Sequence, residues 1–225
     1  MNKSKFWRLY NEAGKDYEEM SYSDALDKIN TLLSIDEDCY KCRNLKASIL
    51  LESWDRSEET QNQIKEAISH LDFAIKEDPD NKVLYIGNKG NALVALAESQ
   101  LKWTGNNFKL NEEIIDTLMK AKDGYQESLE IDENQPNLWI NKGNILDYLG
   151  RHFGAIECYD MAILKDYKFY NAWGNRGITF WNWAGFLTEE NDKNSLLYHS
   201  MVYLSIELTL YPDFKTDEAT KTQVK

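Results

Sequence analysis

The side chains best equipped for chemistry here are three cysteines, three histidines and a few paired acids. Cys39-Tyr-Lys-Cys42 has the spacing of a redox pair or of half a zinc site. A redox pair is expected where a strand runs into a helix, and the surrounding pattern is helical. A zinc site needs two more ligands nearby, and the CxxC stands as a lone half-site. The motif therefore reads as incidental. Cys158, beside Tyr159, reads as a small core hydrophobe. His70, His152 and His199 lie far apart, with no metal spacing between any two and no Asp-rich calcium loop in the chain. Glu58-Glu59, Glu112-Glu113 and Glu189-Glu190 suit helix starts, where the helix dipole favours anions. No phosphate-binding loop, GxGxxG or GxSxG occurs. These residues point to no cofactor, no metal and no enzyme.

What organises the chain is repetition. Trp139-Ile-Asn-Lys-Gly-Asn144 returns as Trp173-Gly-Asn-Arg-Gly-Ile178, 34 residues on, and its core occurs earlier as Asn88-Lys-Gly-Asn91. A second pattern places a small residue, a large apolar one four on and a small or apolar one three further. It occurs at Ala25, Ile29, Leu32, at Ala67, Leu71, Ala74, at Ala121, Tyr125, Ser128 and at Ala155, Tyr159, Ala162. That spacing lies on one face of a helix. The first pattern centres on Ala13, Ala47, Gly90, Gly143 and Gly177. From Gly143 to Ala155, as from Ala13 to Ala25, is 12 residues, against 20 from Ala47 to Ala67 and 31 from Gly90 to Ala121. Insertions therefore fall near Glu52–Thr60 and Ser99–Asn107, between the helices of a pair. With Phe180–Phe186 they place Trp54, Trp103, Trp181 and Trp183 along one edge.

These residues resemble the tetratricopeptide repeat (TPR) family over roughly residues 6–212, most closely at 136–169 through Trp139, Gly143, Gly150, Ala155, Tyr159 and Ala162. Tyr167 stands where the family usually has proline, and Glu207 where a small residue is expected if Ser200 opens the pattern, which leaves the register of 187–211 open. The resemblance implies an all-α fold, a right-handed superhelix of about five helix-turn-helix units at 6–39, 40–82, 83–135, 136–169 and 170–212. Physically, glycine and alanine let paired helices approach closely, and stacked pairs bury apolar faces that one pair cannot.

The resemblance also implies that the first helix of each pair lines a concave groove for a peptide or helix of another protein. Asn88, Asn91, Asn141, Asn144 and Asn175 stand beside the packing positions, each able to donate and accept. Trp7, Tyr10 and Asn44 extend the face at one end, and Tyr148 and Ile178, with Trp181 and Asn182, at the other. The basic residues of carboxylate-clamp TPR modules are absent from the matching positions.

A net charge of −12 sets the chain against nucleic acid and anionic lipid and favours a basic partner. No run approaches the ~18 apolar residues of a membrane span, and Met1–Tyr10 has no signal core, so a cytoplasmic location is expected. Residues 213–225 form a polar tail expected to be disordered. The helix before it carries two apolar stripes, so residues 196–211 are a candidate homodimer contact.

Overall fold

The structure is a computed structural model that describes residues 1–53, 58–101 and 110–210. Among the described residues there are ten α-helices, one 3-10 turn (Pro79–Asn81) and no strand. Helices α1 (Lys3–Glu18) and α2 (Tyr22–Ile35) pack together, as do α3 (Tyr40–Glu52) and α4 (Glu58–Glu77), and α5 (Lys82–Gln100) and α6 (Glu112–Ile131). Further along, α7 (Pro136–Tyr148) pairs with α8 (His152–Lys165), and α9 (Tyr170–Ala184) with α10 (Glu190–Leu210). The chain divides into two compact units, Met1–Asp132 with α1 to α6 and Glu133–Lys225 with α7 to α10.

Local sequence explains the helix ends. Asn2 and Asn111 cap α1 and α6, each accepting a backbone N–H from three residues on at 2.8 Å. Glu112 and Glu113 occupy the first turn of α6, where the dipole favours them. Pro136 opens α7, a position where its missing N–H costs nothing. Gly150 closes α7 with a φ of +70°, and Arg151 N–H returns to Leu146 O at 2.8 Å. The turn after α1 has the same form, but Met20 occupies it at a φ of +59°.

The repeated pattern packs as nests. On α7, a Cβ added to Gly143 would stand 2.7 Å from Cε1 of Tyr159, so the Tyr159 ring fills the space that glycine leaves. Gly90 holds Tyr125 of α6 in the same way, and Gly177 holds Leu204 of α10. The last pairing settles the register left open in the sequence: Ser200 is fully buried, Leu204 covers the α9 glycine, and Glu207 follows three residues on. Glu207 fits because Gly174 faces it. Burial pushes the Glu207 carboxyl above its ordinary range.

In the first unit, Phe6, Ala13, Ile29, Leu32 and Ile49 share one apolar cluster, and Ala47, Leu50, Ala67 and Leu71 share another. In the second, Ile140, Ala155, Tyr159, Ala162 and Ala172 do so. The 34-residue period also fixes the chain ahead of α7 and α9. Trp139 Nε1 donates to Glu133 O at 3.0 Å, and Trp173 Nε1 to Tyr167 O at 2.9 Å. The insertions go with longer helices in α4, α5 and α6, of 20, 19 and 20 residues against 13 and 14 in α7 and α8, while α3 keeps 13. Cys39, expected to be incidental, is joined through its sulfur to Cys42. The cause is the start of α3: Cys39 is its N-cap, and Cys42 N–H points back at Cys39 Sγ from 3.3 Å. Among the described residues no helix is long and apolar enough to cross a membrane.

Candidate protein-binding faces

Within each unit the first helices of successive pairs lie side by side: α1, α3 and α5 in one, α7 and α9 in the other. Most of the asparagines named above bond across these helices. Asn88 Nδ2 donates to Asn44 Oδ1 at 3.0 Å, joining α5 to α3. Asn175 Nδ2 donates to Asn144 Oδ1 at 2.9 Å, joining α9 to α7. The asparagine after Gly90 and the one after Gly143 each receive a tyrosine hydroxyl. Tyr125 OH donates to Asn91 Oδ1 at 2.7 Å, and Tyr159 OH to Asn144 Oδ1 at 2.9 Å. Burial pushes the Tyr159 hydroxyl far above its ordinary range, with the Asp147 charge adding to the shift. In the last pair leucine replaces tyrosine at 204, and Ile178 replaces asparagine after Gly177. With no hydroxyl to receive, no amide is required there.

On the first unit's face, Trp7 is 36% exposed and meets Tyr10 edge-on at 5.5 Å. Lys41 Nζ lies 5.7 Å from the centre of the Trp7 ring. Beside them a pocket of about 350 Å³ opens between α1 and α3, lined by Tyr10, Asn11, Gly14, Tyr17 and Leu45. Tyr17 OH donates to Glu52 Oε1 at 2.6 Å, joining α1 to α3. Burial raises the Tyr10 hydroxyl.

On the second unit's face the exposed side chains are larger. Tyr148 is 47% exposed, Ile178 48% and Trp181 61%. Asn182 Nδ2 donates to Asp147 Oδ2 at 2.8 Å, and His152 Nδ1 lies 2.7 Å from Asp147 Oδ1. Tyr148 and Ile178 lie within a helical turn of the two amide bonds that tie α9 to α7. Asn141 is half-buried on α7.

Three solved structures resemble the chain over nearly its whole length. YrrB, described as a TPR protein with an unusual peptide-binding site, superposes with a TM-score of 0.56 at 16% identity, over 95% of this chain and 90% of that one. The fold is that of a TPR protein. MamA matches with a TM-score of 0.55 at 15% identity, over 93% of this chain and 96% of that one. A MamA fragment from Desulfovibrio magneticus RS-1 matches at 0.64 with 12% identity, over 93% and 98%. No protein-family model matches the chain, and no curated protein matches it.

Within this TPR fold, the ten expected binding residues all lie on first helices: Trp7 and Tyr10 on α1, Asn44 on α3, Asn88 and Asn91 on α5, Asn141, Asn144 and Tyr148 on α7, and Asn175 and Ile178 on α9. The tryptophan edge is described only in part. Trp54 and Trp103 lie outside the described residues, while Trp183 stacks on His152 at 6.1 Å. Residues 213–225 also lie outside them. Sequence reasoning missed a cleft of about 590 Å³ between α4, α5 and α6, floored by Ile68, Ile75, Ile86 and Leu93. Its rim is already paired, Lys89 with Asp72 at 2.5 Å and Lys82 with Glu127 at 2.6 Å. The one available signal was Gly124, a small residue outside the repeated positions.

Proposed function

We propose that the chain is a non-enzymatic adaptor that holds a peptide or helix of another protein against the faces of its first helices. The observation that carries this reading is the exposure of Tyr148, Ile178 and Trp181 beside the Asn144–Asn175 bond. Large apolar side chains next to amides suit a binding hot spot: the apolar groups gain by burial, and the amides set the register of a backbone. A peptide-binding site is part of YrrB's description, and here it supports the reading by likeness of fold alone. The net charge of −12 favours a partner with a basic segment, and a cytoplasmic location belongs to the same reading.

The test compares affinity capture by the wild type with capture by the double variant Ile178→Ser, Trp181→Ala. A control carries Leu164→Ser, an exposed leucine on the second helix α8. The double variant should lose its specific partner at least about tenfold, the effect of ~1.4 kcal/mol, while the control keeps it. Equal recovery by all three proteins removes the binding face.

A second reading is self-association through α10. Tyr198, Met201 and Leu208 are 67%, 70% and 50% exposed on this final described helix. Its oligomeric state decides between the two.

A further inference from the structure

Cys39 and Cys42 sit where the loop after α2 enters α3, and their sulfurs are joined. Both are buried, Cys39 at 7% exposure and Cys42 at none, within the cluster of Phe6, Ala13, Ile29 and Leu32. Three features make this a site and not a mere staple. The bond closes a loop of sequence separation 3. Short loops restrict the unfolded chain least, so such a bond adds the least to stability and is the easiest to give up. The pair starts a helix, and Cys42 N–H faces Cys39 Sγ at 3.3 Å, a donor placed to support a thiolate in the reduced form. The two residues also differ in exposure, 7% for Cys39 against none for Cys42, which makes Cys39 the first to be attacked in a sequential exchange. Metal binding has no comparable support: among the described residues no group of three His, Cys, Asp or Glu could hold an ion.

We propose that Cys39-Tyr-Lys-Cys42 is a reversible thiol–disulfide site that exchanges with low-molecular-weight disulfides such as glutathione disulfide. The Cys39 thiolate attacks one sulfur of glutathione disulfide. A bond forms between Cys39 and that glutathione, the old S–S bond breaks, and one glutathione thiolate leaves and takes a proton. The Cys42 thiolate then attacks Cys39 Sγ, the Cys39–Cys42 bond forms, and the second glutathione leaves and is protonated. Two protein thiols are oxidised, one glutathione disulfide is reduced to two thiols, and the two protons lost by the cysteines end on them. Reduction runs the same steps backwards. This inference is independent of the proposed binding face. It does bear on that face, because α3 carries Lys41 over Trp7 and Asn44 bonded to Asn88.

The experiment uses the full chain. Folded protein is equilibrated in glutathione buffers of stepped ratio, quenched with acid, unfolded, alkylated with N-ethylmaleimide and weighed intact. Cys158, buried in α8 with a thiol pushed up by burial, is the internal reference. The expected result is three alkylated cysteines at the reducing end and one at the oxidising end, with no glutathione retained and full reversal on adding reduced glutathione. Cys42→Ser should trap a single glutathione on Cys39, and Cys39→Ser should be modified far more slowly. Three alkylated cysteines at every ratio in folded wild type overturn the proposal, as does glutathione adduct without an internal bond. The wild-type result alone decides it if a variant fails to fold.

Discussion

Gly143 and Gly14 show how differently two helical glycines of one chain can be used. A methyl group at Gly143 would stand 2.7 Å from Cε1 of Tyr159, a ring that is 1% exposed and tied by its hydroxyl to Asn144. Alanine there gains about 1 kcal/mol of helix propensity but overpacks a contact, at about 1–3 kcal/mol. A Cβ at Gly14 would meet nothing within 4 Å, so alanine there keeps the propensity gain whole. Gly143→Ala should therefore lower the stability of the chain and Gly14→Ala raise it by roughly 0.5–1 kcal/mol, read from urea midpoints at constant m. Equal gains at both positions would mean that Tyr159 does not rest on Gly143.

Helices α3 and α4 are joined by a polar chain whose charge depends on pH. Lys46 Nζ lies 2.7 Å from Glu66 Oε1, His70 Nε2 lies 3.3 Å from the same oxygen, and Arg43 Nη1 lies 3.4 Å from His70 Nδ1. Burial acts to raise the Glu66 carboxyl, but Lys46 and His70 outweigh it and hold it below the ordinary range. Burial lowers the His70 imidazole, and the Lys46 and Arg43 charges add to that, against the opposing pull of Glu66. A second proton on His70 would face the Arg43 guanidinium. Because the folded state resists this proton, the unfolded state binds more protons once pH falls below the ordinary histidine value of 6.5. Stability from this group is complete above that pH and is lost as pH falls toward the depressed folded value. Unfolding free energy of wild type should decline from pH 7 to 5, and His70→Gln should flatten the decline. The same slope in both proteins would assign it to other groups.

The whole chain carries −12 charges, yet its final described helix shows Tyr198, Met201 and Leu208 to solvent. Elsewhere within the units α2 is met by α3, α4 by α5 and α8 by α9. Nothing described covers α10 on that side. A second copy laid antiparallel about position 203 would set each Tyr198 against Leu208 and each Met201 against Ser205, large facing smaller in both cases. Under the self-association reading, light scattering should report a dimer and Met201→Glu a monomer. A wild type that stays monomeric at every concentration leaves the adaptor reading alone.

The sequence by itself determined the helices, their pairing and the small residues between them. A 34-residue phrase, a 4,3 spacing and glycines opposite aromatics are local patterns, and packing at a close helix crossing admits few side chains. All ten residues proposed for binding could be placed on first helices by spacing alone. What each does there was decided only by the tertiary structure. An asparagine can turn to solvent or to a neighbour, and whether Asn144 reaches Tyr159 and Asn175 depends on two helices that the sequence does not orient. The fit of Glu207 against Gly174 is of the same kind. Each depends on distances of a few ångströms between side chains, which no residue spacing encodes.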